Sequence, residues 1–222
     1  MTVSQHPAQP TDPRTVSELA EAVHAGLPTT IADLSSLVRI PSVSWEAFDP
    51  SHVAASADAV ARLVEETGLF DEVRVSRAPI GSTGLTGQPA VLARREARDG
   101  KKTVLLYAHH DVQPQGDDAD WDTPPFEPTL KGERLYGRGA SDDKAGVMTH
   151  VAALRAVRDV IGDDLGVGVA LFIEGRRSSA RGRSPTSWPS TATSSRPTSS
   201  SSPTPTTGAR RCPPSRSASG AT

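Results

Sequence analysis

The sequence has few of the residues from which several classes of protein are built. Its 222 residues include one cysteine, Cys212, which excludes a disulfide framework and a zinc site made of several cysteines. No apolar run approaches the ~20 residues that a transmembrane helix needs. The start, MTVSQHPAQP, lacks a basic segment followed by an apolar stretch, so no secretory signal is evident. We therefore expect a soluble cytoplasmic protein with no membrane partner.

The end of the sequence lacks most residue types. Residues 176–222 contain only Arg, Ser, Thr, Pro, Ala and Gly, apart from Trp188 and Cys212. Their eight arginines and no acidic residue give +8, and subtracting this from the net charge of −2 leaves −10 on residues 1–175. With one large apolar side chain, this segment cannot bury enough surface to offset its ordering entropy. We expect residues 176–222 to form a disordered tail.

The first 175 residues have the alternating pattern of an α/β protein. We expect a flexible N-terminus over residues 1–13. Apolar residues at helical spacing predict one helix that ends before Pro41, a second that ends at Gly68 and a third around residues 147–157. Strands are predicted around residues 73–75, 90–93, 103–108 (TVLLYA) and 167–173 (VGVALFI), the last two as buried strands. This order predicts an α/β fold with a layered mixed sheet and flanking helices.

A first polar cluster follows the strand that ends at Ala108. His109, His110 and Asp111 come at its carboxyl end, where open α/β sheets place ligand sites. A His and an Asp two apart on an extended segment share one side of the chain, so the carboxylate can orient the imidazole or bind the same ion. A structural or solvent-exposed histidine is the alternative.

A second cluster, LYGRGASDDK at residues 135–144, places two glycines and two adjacent acids before a helix. Capping of that helix by Ser141 or Asp142, with Asp143 next to the helix dipole, is one explanation. Metal binding is the other, because histidine nitrogen and carboxylate oxygen are ligands of zinc. Carboxylates can also bridge two ions roughly 3.5–4 Å apart.

Three stretches resemble one known family. YAHHDVQP, WDTPPFEPTLKGERLYGRGASDDKAG and RIPSVSW are similar to the M20 family of zinc-dependent metallopeptidases, in particular its carnosinase-like dipeptidase branch. The resemblance implies a partial M20 catalytic domain over residues 14–175. It implies that His109 ligates one zinc ion, that the catalytic Asp111 orients the site, and that Asp142 bridges two zinc ions. It also implies a cis peptide bond between Asp142 and Asp143.

The sequence departs from the family after Gly175. The family continues Glu-Gly-x-Glu-Glu, and by resemblance the paired glutamates supply the general base that activates water and a zinc ligand. Glu174 and Gly175 match, but Arg177 and Ser178 stand at the paired positions. A guanidinium keeps its proton, and a serine hydroxyl is a weaker ligand than a carboxylate. Later ligands and the domain through which the family forms homodimers are also missing, so we expect an inactive truncated fragment with at most one weak zinc site.

A change of reading frame would explain the departure. GAG-GAG encodes Glu-Glu, and read one base late it gives AGG-AGG, which encodes the Arg-Arg found at residues 176–177. A Val-Ile-Val-Val strand encoded GTC-ATC-GTC-GTC becomes four serines, as at residues 199–202. We hypothesise that residues 176–222 are the out-of-frame remainder of an M20 dipeptidase gene. A genuine Ser/Arg/Pro-rich linker is the alternative.

Three functions follow as hypotheses. The first is metal-dependent hydrolysis of dipeptides or short peptides by a two-zinc site. The second is an M20 deacylase or desuccinylase that acts on N-acyl amino acids. The third, from another class, is binding of nucleic acid or a partner through the basic tail. Because only Trp188 is available for stacking on bases, we expect no nucleic-acid partner.

Overall fold

A computed structural model of the chain describes residues 12–175. The predictions of a disordered, out-of-frame tail over residues 176–222 lie outside this range, as do residues 1–11 of the flexible N-terminus predicted over residues 1–13. Residues 12 and 13 correct the predicted boundary, because the Asp12 carboxylate accepts a hydrogen bond from the Arg14 amide and caps a helix that begins at Pro13.

The described chain begins with three helices, which are followed by five strands, a fourth helix and a last strand, so helices and strands do not alternate along it as the sequence predicts. The elements are α1 (Pro13–Ala25), α2 (Leu27–Val38), α3 (Pro50–Glu65), β1 (Glu72–Ser76), β2 (Ala90–Arg95), β3 (Thr103–His109), β4 (Thr129–Lys131), β5 (Arg134–Tyr136), α4 (Lys144–Val160) and β6 (Gly168–Glu174). Helix α2 ends before Pro41, and α3 ends before Gly68, whose φ of 63° is costly for other residues. No helix within residues 12–175 has the length and apolar composition needed to cross a membrane.

Four strands form a mixed sheet in the order β1-β2-β6-β3. The pairs β1/β2 and β2/β6 are antiparallel, whereas β3 and β6 are parallel. This arrangement confirms the predicted layered mixed sheet with flanking helices. The register places His109, at the end of β3, opposite Glu174 at the end of β6. The carboxyl ends of these two strands therefore lie side by side, with the His109–Asp111 cluster after β3 and Gly175, where the sequence departs from the family, after β6.

Helices cover one face of the sheet. Val169, Leu171 and Ile173 alternate along β6 toward this face, as expected for side chains that repeat every two residues. They pack with residues of α3 and α4 that recur at helical spacing, including Val60, Val64, Val147, Val151 and Leu154. This core fixes the ends of β3 and α4 relative to each other, and those two ends carry the predicted site residues.

The structure corrects the prediction that TVLLYA is a buried strand. This segment is β3, the edge strand of the sheet, and the side chains of Leu105 and Tyr107 remain 63% and 51% exposed. Strand β6 is buried as predicted, and β2 and β3 pair with it on its two sides. An apolar run indicates a strand without indicating its place in the sheet.

Candidate metal centre

The structure brings His109, Asp111 and Asp142 together at the end of β3. The Nδ1 of His109 lies 3.1 Å from the carbonyl oxygen of Asp111 and 3.2 Å from its carboxylate Oδ1. The Nε2 of the same ring lies 3.1 Å from Oδ1 of Asp142. The imidazole thus has one carboxylate at each nitrogen. His109 and Asp111 are buried, whereas the Asp142 side chain is 62% exposed and opens the cluster to solvent.

The contacts of Asp111 define which nitrogen of His109 is available to a ligand. Since both acceptors at Nδ1 are oxygens, that nitrogen carries the hydrogen and donates it. The Asp111 side-chain hydrogen bond raises the pKa of His109 to about 9, which outweighs the lowering effect of burial. When Nε2 loses its proton, its lone pair faces the Asp142 carboxylate.

The carboxylates of the Asp-Asp step do not cap helix α4, contrary to the capping explanation. Asp143 is the residue that precedes α4, and no side chain makes a capping hydrogen bond there. Instead Oδ2 of Asp143 accepts a hydrogen bond of 3.1 Å from the His109 amide. The peptide bond between Asp142 and Asp143 is cis, as the family resemblance implies. One acid therefore meets the imidazole of His109, and the next meets its main chain.

The hydroxyl groups of two serines hold the loop at residues 110–112 (the first loop) in place. No role was predicted for these serines from the sequence. Ser42 Oγ donates to the carbonyl oxygen of His110 at 2.7 Å, and Ser56 Oγ donates to the same oxygen at 3.3 Å. The amide of Val112 donates to the carbonyl of Ser42 at 2.9 Å. Both serines are fully buried. The loop that carries Asp111 is therefore fastened to the connection between α2 and α3.

His110 faces away from the cluster into the core. Its Nε2 lies 3.0 Å from the carbonyl oxygen of Pro89, and burial lowers its pKa to about 4. The ring is therefore neutral near neutral pH, and Nε2–H is the donor. Gly175 passes beside it, and a Cβ at Gly175 would overlap the Pro89 carbonyl oxygen. A side chain at Gly175, the glycine of the family's Glu-Gly-x-Glu-Glu pattern, would therefore clash in this chain.

The donor atoms present suit a divalent zinc ion in part. An ion at ~2.0–2.1 Å from each of two ligand atoms would separate them by roughly 3.3 Å at a tetrahedral angle, close to the 3.1 Å between His109 Nε2 and Asp142 Oδ1. Asp111 supplies the outer carboxylate that zinc-bound histidines commonly have. Within residues 12–175, however, no group of three or more His, Cys, Asp or Glu side chains is placed to hold a metal ion. The fit is that of two ligands.

The fold of the described residues is that of a dipeptidase-type α/β domain. The crystal structure of human carnosine dipeptidase 1 superposes with a TM-score of 0.63 at 27% sequence identity. The superposition covers 77% of this chain and 36% of that one. The mixed sheet and its helices therefore correspond to about a third of that longer chain.

The sequence comparisons narrow this class to one family. Residues 105–175 match the model of peptidase family M20/M25/M40. The Cys-Gly metallodipeptidase dug1 of Schizosaccharomyces pombe is 32% identical over 166 residues, which cover 72% of this chain and 34% of that protein. The human Beta-Ala-His dipeptidase is 35% identical over 140 residues, which cover 63% of this chain and 27% of that protein. The described part of the chain therefore belongs to the M20 peptidase family, and the chain spans about a third of the length of the curated relatives it matches or less.

Proposed function

We propose that residues 12–175 carry the first two metal-binding loops of an M20 dipeptidase and hold one divalent ion weakly through His109 and Asp142. The observation that carries this proposal is the 3.1 Å approach of His109 Nε2 to Asp142 Oδ1, with Nδ1 held by Asp111. The family resemblance implies the same two ligands, although it places Asp142 between two zinc ions rather than on one. We propose a second zinc ion on Asp142 only for a longer protein that supplies further carboxylate ligands.

The chain's own residues prepare this site in two ways. Asp111 accepts the Nδ1 hydrogen and so presents Nε2 toward Asp142. Asp143 accepts the His109 amide and fixes the main chain from which the imidazole extends. A bound zinc ion would polarise the substrate carbonyl and lower the pKa of water. Proton transfer then needs a general base, and Arg177 stands where the family has one.

We propose, accordingly, that this 222-residue chain binds zinc without hydrolysing dipeptides. Zinc titration by calorimetry should give one weak site in the full chain, lost in His109→Ala and in Asp142→Ala. His52→Ala removes an exposed histidine of α3 and serves as the matched control, with unchanged binding. Equal zinc affinity in His109→Ala and in the unaltered chain would contradict the proposal.

An activity assay separates the remaining possibilities. The zinc-loaded chain should release no amino acid from Cys-Gly or from β-Ala-His above a metal-only blank. Hydrolysis of either dipeptide would show that another group replaces the glutamate base. Hydrolysis of an N-succinyl amino acid alone would favour the deacylase alternative. Salt-dependent RNA binding that disappears on deletion of residues 176–222 would favour the nucleic-acid alternative.

The departure after Gly175 has a separate test. We propose that residues 176–222 are read out of frame. We also propose that the full-length dipeptidase to which residues 12–175 correspond acts in the cytoplasm. Sequencing the gene across codons 170–180 should reveal a Glu-rich alternative frame. An uninterrupted reading frame without such an alternative would support a genuine linker instead.

A further inference from the structure

Lys144 is the first residue of helix α4, and it is completely buried. Its Nζ donates hydrogen bonds of 2.7 Å to the carbonyl oxygen of Leu37 and of 2.7 Å to that of Ile40. Leu37 lies in the last turn of α2 and Ile40 lies two residues beyond it, and their carbonyl oxygens also accept the amides of Ile40 and Ser42. Burial lowers the pKa of Lys144 to about 7. An apolar side chain would fill the same space at a lower desolvation cost. We therefore attribute the buried amine to the two directed hydrogen bonds that it makes.

The main chain around Lys144 links this anchor to the site. The Lys144 amide donates to the carbonyl of Gly139 at 3.1 Å and so closes the loop that contains Asp142. Gly139 has a φ of 81°, and a Cβ there would overlap Cγ1 of Val112, which follows Asp111. The loop at residues 139–143, which contains Asp142 (the second loop), is thus packed against the first loop.

Both loops are tied to one segment, residues 37–43. Lys144 bonds to Leu37 and Ile40 from the second loop, and Val112 bonds to Ser42 from the first. The distance between His109 and Asp142 therefore depends on how each loop is fixed to the same short stretch of chain. Lys144 joins the start of α4 to the end of α2 by two side-chain hydrogen bonds.

We propose that Lys144 is a positioning residue that sets Asp142 against His109 by anchoring the start of α4 to the end of α2. This inference rests on the proposed zinc site and adds a residue that binds no metal itself. Removing the amine should leave both ligand side chains chemically unchanged but move Asp142 away from His109. Loss of a group that hydrogen-bonds a metal ligand costs roughly 10- to 100-fold in metal affinity. Lys144 acts one step further away, through the main chain, so we expect the lower end of that range.

Arg95 offers a matched control elsewhere in the sheet. It is also buried, and it also donates to two main-chain carbonyls, those of Leu69 and Leu165. It pairs with Val169, five residues before the site end of β6, which is roughly 16 Å away along an extended strand. Arg95→Met and Lys144→Met therefore each remove a buried cation with two carbonyl partners, but only Lys144 lies next to the metal loops.

The test compares zinc affinity in the full chain, by competition with a chromophoric chelator at a temperature where circular dichroism shows each variant folded. Lys144→Met should bind zinc about tenfold more weakly or worse, and Arg95→Met within about twofold of the unaltered chain. Lys144→Gln, which keeps an amide donor, provides a milder variant if Lys144→Met does not fold, and it should fall in between. Unchanged zinc affinity in folded Lys144→Met or Lys144→Gln would overturn the proposal.

A second readout works without metal. The ¹⁵N resonance of His109 Nε2 reports its hydrogen bond to Asp142, so it should shift in Lys144→Met and match the unaltered chain in Arg95→Met. If the unaltered chain binds no zinc, the proposed function fails, and this resonance still decides the positioning role. A His109 signal that Lys144→Met leaves unchanged would refute that role.

Discussion

His109 has two carboxylates that act on different atoms of one ring. Asp111 holds Nδ1, and its hydrogen bond raises the pKa of the metal-free imidazole and so stabilises the protonated form, while Asp142 meets Nε2. A zinc ion must displace the Nε2 proton before that nitrogen can bind it. The same arrangement that orients the ligand therefore makes it compete with protons.

Zinc binding should release a proton. With the pKa of His109 near 9 in the metal-free chain, the ring is protonated at about pH 7.5, and binding of one zinc ion should release about one proton. Asp111→Asn removes the largest cause of the raised pKa and should reduce that number. Calorimetry in two buffers of different ionisation enthalpy measures the protons directly. Zinc binding without proton release in the unaltered chain would show that Nε2 is not the ligand.

The burial of His110 should make the metal-free fold less stable as the pH falls. Because burial lowers its pKa from 6.5 to about 4, the unfolded chain takes up this proton first as the pH falls. Stability from His110 is present above about pH 6.5 and is lost toward pH 4, by at most about 3 kcal/mol. Urea unfolding with EDTA should therefore show a steeper acid loss in the unaltered chain than in His110→Gln, whose amide does not titrate. Parallel pH curves for the two chains would count against this account.

His109 and Asp111 could be predicted as candidates because they follow a predicted strand, and Asp142 because it is one of two adjacent acids before a predicted helix. Their roles as metal ligands and orienting acid were implied by the resemblance to the M20 family. The buried Lys144 gives no such signal, since lysine is ordinarily exposed and its two acceptors are main-chain atoms more than a hundred positions away. Asp143 was assigned only a role at the helix dipole. Its contact with the His109 amide depends on tertiary structure.

Helix α4 begins in a way that serves the site rather than the helix. Gly146 lies in its first turn, and a Cβ there would overlap Oδ1 of Asp143. The glycine thus leaves room for the carboxylate that accepts the His109 amide. In an ordinary helix, replacing glycine by alanine gains roughly 0.5–1 kcal/mol.

Gly146→Ala should reverse that usual gain. We expect it to lower the free energy of unfolding by about 1 kcal/mol or more, because Asp143 must move and leave its hydrogen bond. Gly26→Ala is the control: Gly26 has a right-handed conformation, and its Cβ would approach no nearer than 3.4 Å to Ala22 O. Chemical denaturation of both variants measures the difference. A Gly146→Ala chain as stable as Gly26→Ala would contradict the assigned role of Gly146.

The predicted strands and most helices were found where apolar spacing placed them, and two elements show where that signal ends. Helix α1 was not predicted, although Val16, Leu19, Ala20 and Val23 follow helical spacing, and none of its residues is buried in the structure. The strand β3 was expected to be buried because it is apolar. Its edge position follows from the pairing of β6 with β2, which links segments about eighty residues apart.

At the scale of the molecule, the apolar residues of β3 leave surface exposed among the described residues. Leu105 and Tyr107 lie on the face opposite the helices, and an exposed apolar edge strand favours association. We expect the chain to be poorly soluble and to associate as its concentration rises. This expectation concerns the sheet as a whole rather than any one site.

Leu105→Lys should reduce that association, because a lysine on an edge strand opposes pairing with another chain. Leu85→Lys is the matched control, since Leu85 is 65% exposed in the loop between β1 and β2 and lies outside the sheet. Sedimentation velocity over a range of concentrations should show less association in Leu105→Lys and no change in Leu85→Lys. Equal association in all three chains would show that the edge strand is not responsible.

The proposed metal site is tested most directly by zinc X-ray absorption on the full chain loaded with one equivalent of zinc. The spectrum should show only nitrogen and oxygen ligands at ~2.0–2.1 Å, with the outer-shell scattering of one imidazole, and that scattering should vanish in His109→Ala. A spectrum without imidazole scattering, or one that His109→Ala leaves unchanged, would place zinc elsewhere and contradict the account.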